Sequence, residues 1–263
     1  GVEPEAVMLG DRPVGWAFDT RDARYLRLGG LVPEDTGAAR LAQTGSIFTQ
    51  MQAGLAAAGF GFQDVVRTWF YNQQITAWYD AFNKERIALF KKLGVFDGVV
   101  PASTGIGSDN VAGAALTGGL LALRAKNDAM RAFAVPSPMQ CPAIEYGSAF
   151  SRAVEVDAPD HRRLLISGTA SIECGGATLH LGDIDGQIAT TWDVAKAILD
   201  SREMGWDNVV RALVYLKDAS YIEAYRRYAQ ANGLDALPAV VLQADICRDD
   251  LLFEIELDAI ATK

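Results

Sequence analysis

Three landmarks occur twice in this chain, in the same order and roughly 140 residues apart. Arg24-Tyr-Leu-Arg-Leu-Gly-Gly-Leu31 matches Arg162-Arg-Leu-Leu-Ile-Ser-Gly-Thr169. Phe62-Gln-Asp-Val-Val-Arg67 matches Trp206-Asp-Asn-Val-Val-Arg211, and Val100-Pro-Ala102 matches Leu237-Pro-Ala239. A 263-residue chain with this pattern is a duplicated unit with two modest cores instead of one large one. The expected boundaries are 1–125 for the first domain, 126–147 for a bridge and 148–263 for the second domain.

Each copy predicts the same elements. A strand ending in glycine (24–31, 163–171) leads to a helix (44–58, 186–202), then to a β-branched and aromatic strand (Val65–Tyr71, Val209–Leu216). A second helix (76–92, 219–231) ends near Gly94 or Gly233, which suit the left-handed position beyond a helix. Two closing strands follow. The order β-α-β-α-β-β is an α+β fold, two tandem domains each with a mixed sheet and both helices on one face. The bridge predicts a hairpin at Lys126-Asn127-Asp128 and carries Pro136, Pro138 and Pro142.

Composition narrows the function. Apolar residues make up 50% and charged residues 22%, an ordinary globular balance, and no apolar run reaches membrane-spanning length. The net charge of −9, with no basic run longer than two residues, argues against a nucleic-acid partner. Gly1–Glu5 lacks the basic-then-apolar layout of a secretory signal. The three scattered cysteines (Cys141, Cys174, Cys247) predict free thiols in a reducing cytoplasm. With two histidines and no Cys-x-x-Cys, no metal site is expected.

The copies diverge most in the last strand. Leu251-Leu-Phe-Glu-Ile-Glu-Leu-Asp-Ala259 carries three carboxylates, whereas Leu116-Thr-Gly-Gly-Leu-Leu-Ala-Leu123 carries none, as a working second copy and a degenerate first would leave. Pairing 242–248 with 251–258 through a two-residue turn at Asp249-Asp250, or a four-residue turn around it, predicts one apolar and one polar face. The two-residue register sets Asp245 opposite Glu254, with Cys247 beside them. Two opposed carboxylates hold one proton tightly, which makes a general acid, although a polar sheet face is more often simply solvated. Arg152 is a candidate clamp for a substrate carboxylate. The loop Pro101-Ala-Ser-Thr-Gly-Ile-Gly107 is a weak phosphate cradle, and Trp69, Phe70, Tyr71, Trp78 and Tyr79 read as core.

Ile166-Ser-Gly-Thr-Ala-Ser-Ile172, Gly182-Asp183, Trp206–Arg211 and Glu254-Ile-Glu256 resemble the RidA/YjgF superfamily, whose domains have the chorismate-mutase-like fold and are often trimeric. Phe150-Ser-Arg-Ala153 and Leu242-Gln-Ala-Asp-Ile-Cys-Arg-Asp-Asp-Leu-Leu-Phe-Glu-Ile-Glu256 resemble its two-domain branch, the chorismatases. The resemblance implies a small carboxylate substrate, no metal or organic cofactor, and Glu254 as proton donor with its pKa raised by Asp245 and by partial burial. It also implies Arg152 on a substrate carboxylate, Tyr146 and Gln243 orienting the ring, and Gly168 and Thr169 in the binding site. A Cys at position 247 goes with forming 3-hydroxybenzoate, an Ala with hydrolysis to a dihydrodiol. RidA-type deaminases resemble one another in an arginine after the Pro-Ala landmark. Here Ser103 and Val240 stand in its place, which disfavours simple imine or enamine hydrolysis. The other readings are such a deaminase, with Arg152 substituting, and a non-catalytic small-acid-binding protein.

Overall fold

The computed structural model describes residues 2–263. Its first half runs β1 (Glu5–Leu9), β2 (Arg12–Asp19), β3 (Ala23–Leu31), α1 (Arg40–Ala57), β4 (Val65–Asn72), α2 (Tyr79–Lys92), β5 (Ala102–Gly107) and β6 (Leu116–Ala125). The second half repeats this as β7 (Arg131–Val135), β8 (Ala153–Asp157), β9 (His161–Ala170), α3 (Ile184–Asp200), β10 (Val209–Leu216), α4 (Ile222–Ala231), β11 (Ala239–Gln243) and β12 (Phe253–Thr262). The sheets are ordered β1-β2-β3-β6-β4-β5 and β7-β8-β9-β12-β10-β11, the same arrangement strand for strand. Only β4–β5 and β10–β11 pair in parallel, so both sheets are mixed.

Helical spacing puts the apolar side chains where the sheets need them. Ile47, Met51 and Leu55 form one stripe of α1, and Ile188, Trp192, Ala195 and Leu199 form one of α3, all buried. Asp183 caps α3 by accepting from the Gly186 amide at 3.1 Å. Gly94 and Gly233 adopt φ of 68° and 67°, the left-handed region in which a side chain would be strained.

Several expectations are corrected. Each sheet has six strands, because a preceding hairpin (β1–β2) or strand pair (β7–β8) extends the repeat. The turn at Lys126–Asp128 does not close a hairpin: β6 ends the first sheet and β7 starts the edge of the second. Residues 102–107 are a buried strand, β5, and not a glycine loop. The closing hairpin is absent as well. β10 lies between β11 and β12, pairing in parallel with the first and antiparallel with the second. A parity argument fixes faces within one strand but does not say which strand is the neighbour. For β12 the faces are as expected, with Phe253, Ile255 and Leu257 in the helix-side core and Glu254, Glu256 and Asp258 on the other side.

That other side of each sheet packs on its counterpart. Ala23, Val66, Trp69, Leu121 and Leu123 of the first unit meet Val154, Val156 and Leu165 of the second. Backbone joins them too: the Ser103 amide donates to Ser167 Oγ at 2.9 Å, and the Gly168 amide to Thr104 Oγ1 at 3.1 Å. The polar face of β12 is therefore sealed between the units. Among the described residues no helix is long and apolar enough to cross a membrane.

Candidate active site

Three carboxylates on one buried strand face need compensation, and two of them have it. Glu256 accepts from Arg67 Nη2 at 2.7 Å, from both terminal nitrogens of Arg211 at 2.7 Å and from Trp69 Nε1 at 3.1 Å. Asp258 is paired with Arg163 at 2.8 Å. Glu254, only 5% exposed, makes no hydrogen bond or ion pair with the described residues. Burial, and after it the charge of Glu256, push its pKa up from 4.5 to about 8. A carboxylic acid that stays protonated at neutral pH results.

Glu254 opens onto a cavity of about 480 Å³ between the two units. Gly168 of β9 lies across from it, and a Cβ there would overlap Glu254 Oε1. Two guanidinium groups share the cavity. Arg152, 4% exposed, directs Nε and Nη2 to the Cys141 carbonyl at 3.0 and 2.8 Å and lies 5.4 Å from the Tyr146 ring centroid. Arg86 of α2, 1% exposed, donates to Asn83 Oδ1 at 2.5 Å and Ser103 Oγ at 3.4 Å, and its Nε has no partner. Neither forms an ion pair with a carboxylate among the described residues. Unpaired buried cations are costly, and a bound anion is what would relieve the cost.

Of the residues singled out in the sequence, Glu254, Cys247, Arg152, Tyr146 and Gly168 line this cavity. Burial first and Glu254 second push the Cys247 thiol up to about 12, so it is a neutral thiol and not a thiolate nucleophile. Asp245 does not face Glu254. It is exposed, and its carbonyl accepts from the Gly107 amide at 2.7 Å, so the carboxylate that acts on Glu254 beside its burial is Glu256 and not Asp245. Gln243 is exposed at the end of β11, outside the cavity lining. Thr169 is buried, pairs in register with Ile255 of the helix-side core, and donates to the Ser167 carbonyl at 2.9 Å.

Residues 142–261 match the endoribonuclease L-PSP family. A chorismatase from Streptomyces hygroscopicus is 29% identical over 220 residues, which is 74% of this chain and 61% of that protein. A 3-hydroxybenzoate synthase from the same organism is 27% identical over 224 residues, 75% of this chain and 64% of its own length. The chain thus matches less than two thirds of the length of these curated relatives. A chorismatase crystal structure covers 97% of this chain and 80% of its own with a TM-score of 0.76 at 24% identity, a shared fold. The second half of the chain thus matches the endoribonuclease L-PSP family, and the chain as a whole resembles the chorismatases in sequence and in fold.

The first domain is not a bystander. Tyr79, Asn83 and Arg86 of α2 and Ser103 and Gly105 of β5 form one wall of the cavity. Arg86 reaches Ser103 Oγ at 3.4 Å, the residue that follows the first Pro-Ala landmark. No sequence signal marked Arg86, because its helix reads as an ordinary amphipathic one with a charged face. Among the five aromatics expected in the core, Trp69, Phe70 and Trp78 are buried there, while Tyr71 is half-buried and Tyr79 lines the cavity. The cysteines are corrected too. Cys141 and Cys174 form a disulfide with Cα atoms 4.7 Å apart, and only Cys247 is a free thiol.

Proposed function

We propose that this protein is a chorismatase-type enzyme, cleaving the enolpyruvyl ether of chorismate or a close relative by proton transfer from Glu254. The observation that carries the reading is an unpaired, protonated carboxyl sharing one buried cavity with two unpaired guanidiniums. Chorismate has two carboxylates, one for each arginine, and an enol ether whose terminal methylene carbon is the basic site. Glu254 delivers its proton to that carbon, and the ether carbon becomes an oxocarbenium ion. Water or a ring hydroxyl captures the cation, and collapse of the adduct releases pyruvate. The resulting Glu254 carboxylate stabilises the cation at short range and then recovers a proton. Positioned acid catalysis of this kind contributes about 10²–10⁴-fold.

Tyr146 and the Cys247 thiol border the same space and are suited to orienting the ring. The 3-hydroxybenzoate synthase among the relatives, together with Cys at position 247, favours an aromatic product over a dihydrodiol. Pyruvate release from chorismate, followed with a coupled dehydrogenase, tests the reading. Release that disappears in Glu254→Gln supports it, and none from wild-type protein at high concentration overturns it. The Arg86–Ser103 contact also suits a RidA-type deaminase, for which the decisive result is ammonia release from 2-aminoacrylate without pyruvate release from chorismate.

A further inference from the structure

The disulfide lies where two walls of the cavity meet. Cys141 begins the segment that carries Tyr146, Gly147, Ser148, Phe150 and Arg152 to the cavity. Its carbonyl accepts both hydrogen bonds by which Arg152 is held, from Nε and Nη2. Cys174 sits at the tip of the turn spanning residues 171–179, next to Gly175 and Gly176, which also line the cavity. Otherwise the tip is held lightly. The Gly176 carbonyl accepts from Arg248, and the Tyr146 ring lies over Gly176, whose φ is +88°. The base of the turn is fixed by Gln140, whose Nε2 donates to the carbonyls of Ala170 and Ile172 at 3.0 Å. Cys174 is exposed, so a reductant can reach its sulfur from solvent.

We propose that the Cys141–Cys174 disulfide is a redox latch on this cavity, fixing the Arg152 guanidinium and the 171–179 wall in the binding arrangement when oxidised and releasing both when reduced. The reductant is a dithiol. One of its thiolates attacks Cys174 Sγ, the Cys141–Cys174 bond breaks, and Cys141 leaves as a thiolate that takes up a proton. The second dithiol sulfur then displaces Cys174, so two electrons pass to the protein and the dithiol becomes a disulfide. Without the cross-link the anchor of Arg152 is no longer tied to the opposite wall, and the tip opens locally at far lower cost than global unfolding. The effect on binding rests on the function proposed above, but the latch itself does not.

The test compares the full-length chain oxidised by glutathione disulfide and reduced by dithiothreitol, alongside Cys174→Ser. Alkylation in denaturant should label one cysteine in the oxidised wild type and three in the reduced one. Hydrogen exchange in 142–152 and 171–179 should accelerate about tenfold on reduction, with 44–58 unchanged as an internal control. Cys174→Ser should show the fast rate under both conditions. If chorismate is turned over, its KM should rise about tenfold on reduction of the wild type and not change in Cys174→Ser. Three labelled thiols in the oxidised chain, equal exchange in the two states, or an unchanged KM would overturn the latch. Lack of turnover counts against the enzymatic reading alone, because labelling and exchange need no substrate.

Discussion

Arg67 and Arg211 close the same motif in the two copies, and both end on one carboxylate, Glu256, each at 2.7 Å. The duplicated arginine thus became a joint between the duplicated domains. Arg67 and Glu256 are both fully buried, whereas the Arg211 side chain keeps a third of its surface. Removing one partner of a fully buried pair strands the other, so Arg67→Ala should cost about 3–5 kcal/mol in urea unfolding. Arg211→Ala should cost less, since water can replace part of its role. Equal losses from the two variants would contradict a buried Arg67–Glu256 joint.

Glu254 links activity to stability through one proton. In the native state it holds that proton up to about pH 8, while the unfolded chain releases it near 4.5. Its folded pKa is raised, and it is a carboxyl, so the native state binds more protons between those values and stability falls as pH rises through the window. Below pH 4.5 both states are protonated and nothing is lost. Glu254→Gln should therefore be more stable than wild type at pH 8, with the gain vanishing near pH 4. The same variant should lose about 10²–10⁴-fold in turnover, and wild-type kcat/KM should fall above about pH 8. A catalytic acid that destabilises its own fold is the expected signature, and calorimetry against pH reads it directly.

What the sequence disclosed divides along local and non-local lines. The repeat, the helix stripes at Ile47–Leu55 and Ile188–Leu199, and the alternation that isolates Glu254, Glu256 and Asp258 on one face are local patterns with fixed periods. Strand order is not local. β10 enters between β11 and β12, so Asp245 lost its supposed partner although every residue of β12 points as expected. The Cys141–Cys174 pairing and the approach of Arg86 to Ser103 also depend on chain crossings that leave no periodic trace. The hairpin register that points to Glu254 is absent from the fold, yet the raised pKa of Glu254 has a related origin, burial and a neighbouring carboxylate on the same strand face.

Arg86 offers a sharper test of how the cavity selects its ligand. Its guanidinium is oriented by Asn83 and Ser103 and faces no carboxylate of the protein. Charge-assisted hydrogen bonds to a substrate carboxylate are worth about 1.5–3 kcal/mol, so Arg86→Ala should lower kcat/KM about 10–100-fold. Most of that loss should appear in KM, because the carboxylate is charged before and after proton transfer. Arg86→Lys should recover little, since a point charge on a flexible stem cannot keep the Asn83 and Ser103 contacts and also offer two donors. Steady-state kinetics of the two variants with an intact circular dichroism spectrum separates this from a folding defect.

Gly168 isolates the position of the acid from its chemistry. It sits in a β-strand without the left-handed φ that demands glycine, so alanine is compatible with the backbone. The obstacle is Glu254, whose Oε1 occupies the space a Cβ would need, with Thr104 Cγ2 at 3.3 Å on another side. Gly168→Ala should therefore leave the fold intact but push the carboxyl away from its place beneath the substrate. Small misplacements of a reacting group cost about 10²-fold, and a loss of that size in kcat is the expected outcome. Gly105→Ala supplies the matched control on the facing wall, where the new methyl meets only the Tyr79 ring at 3.3 Å and a small shift of that ring accommodates it. A Gly168→Ala enzyme as active as Gly105→Ala would mean that the carboxyl of Glu254 is not the group whose position the reaction requires.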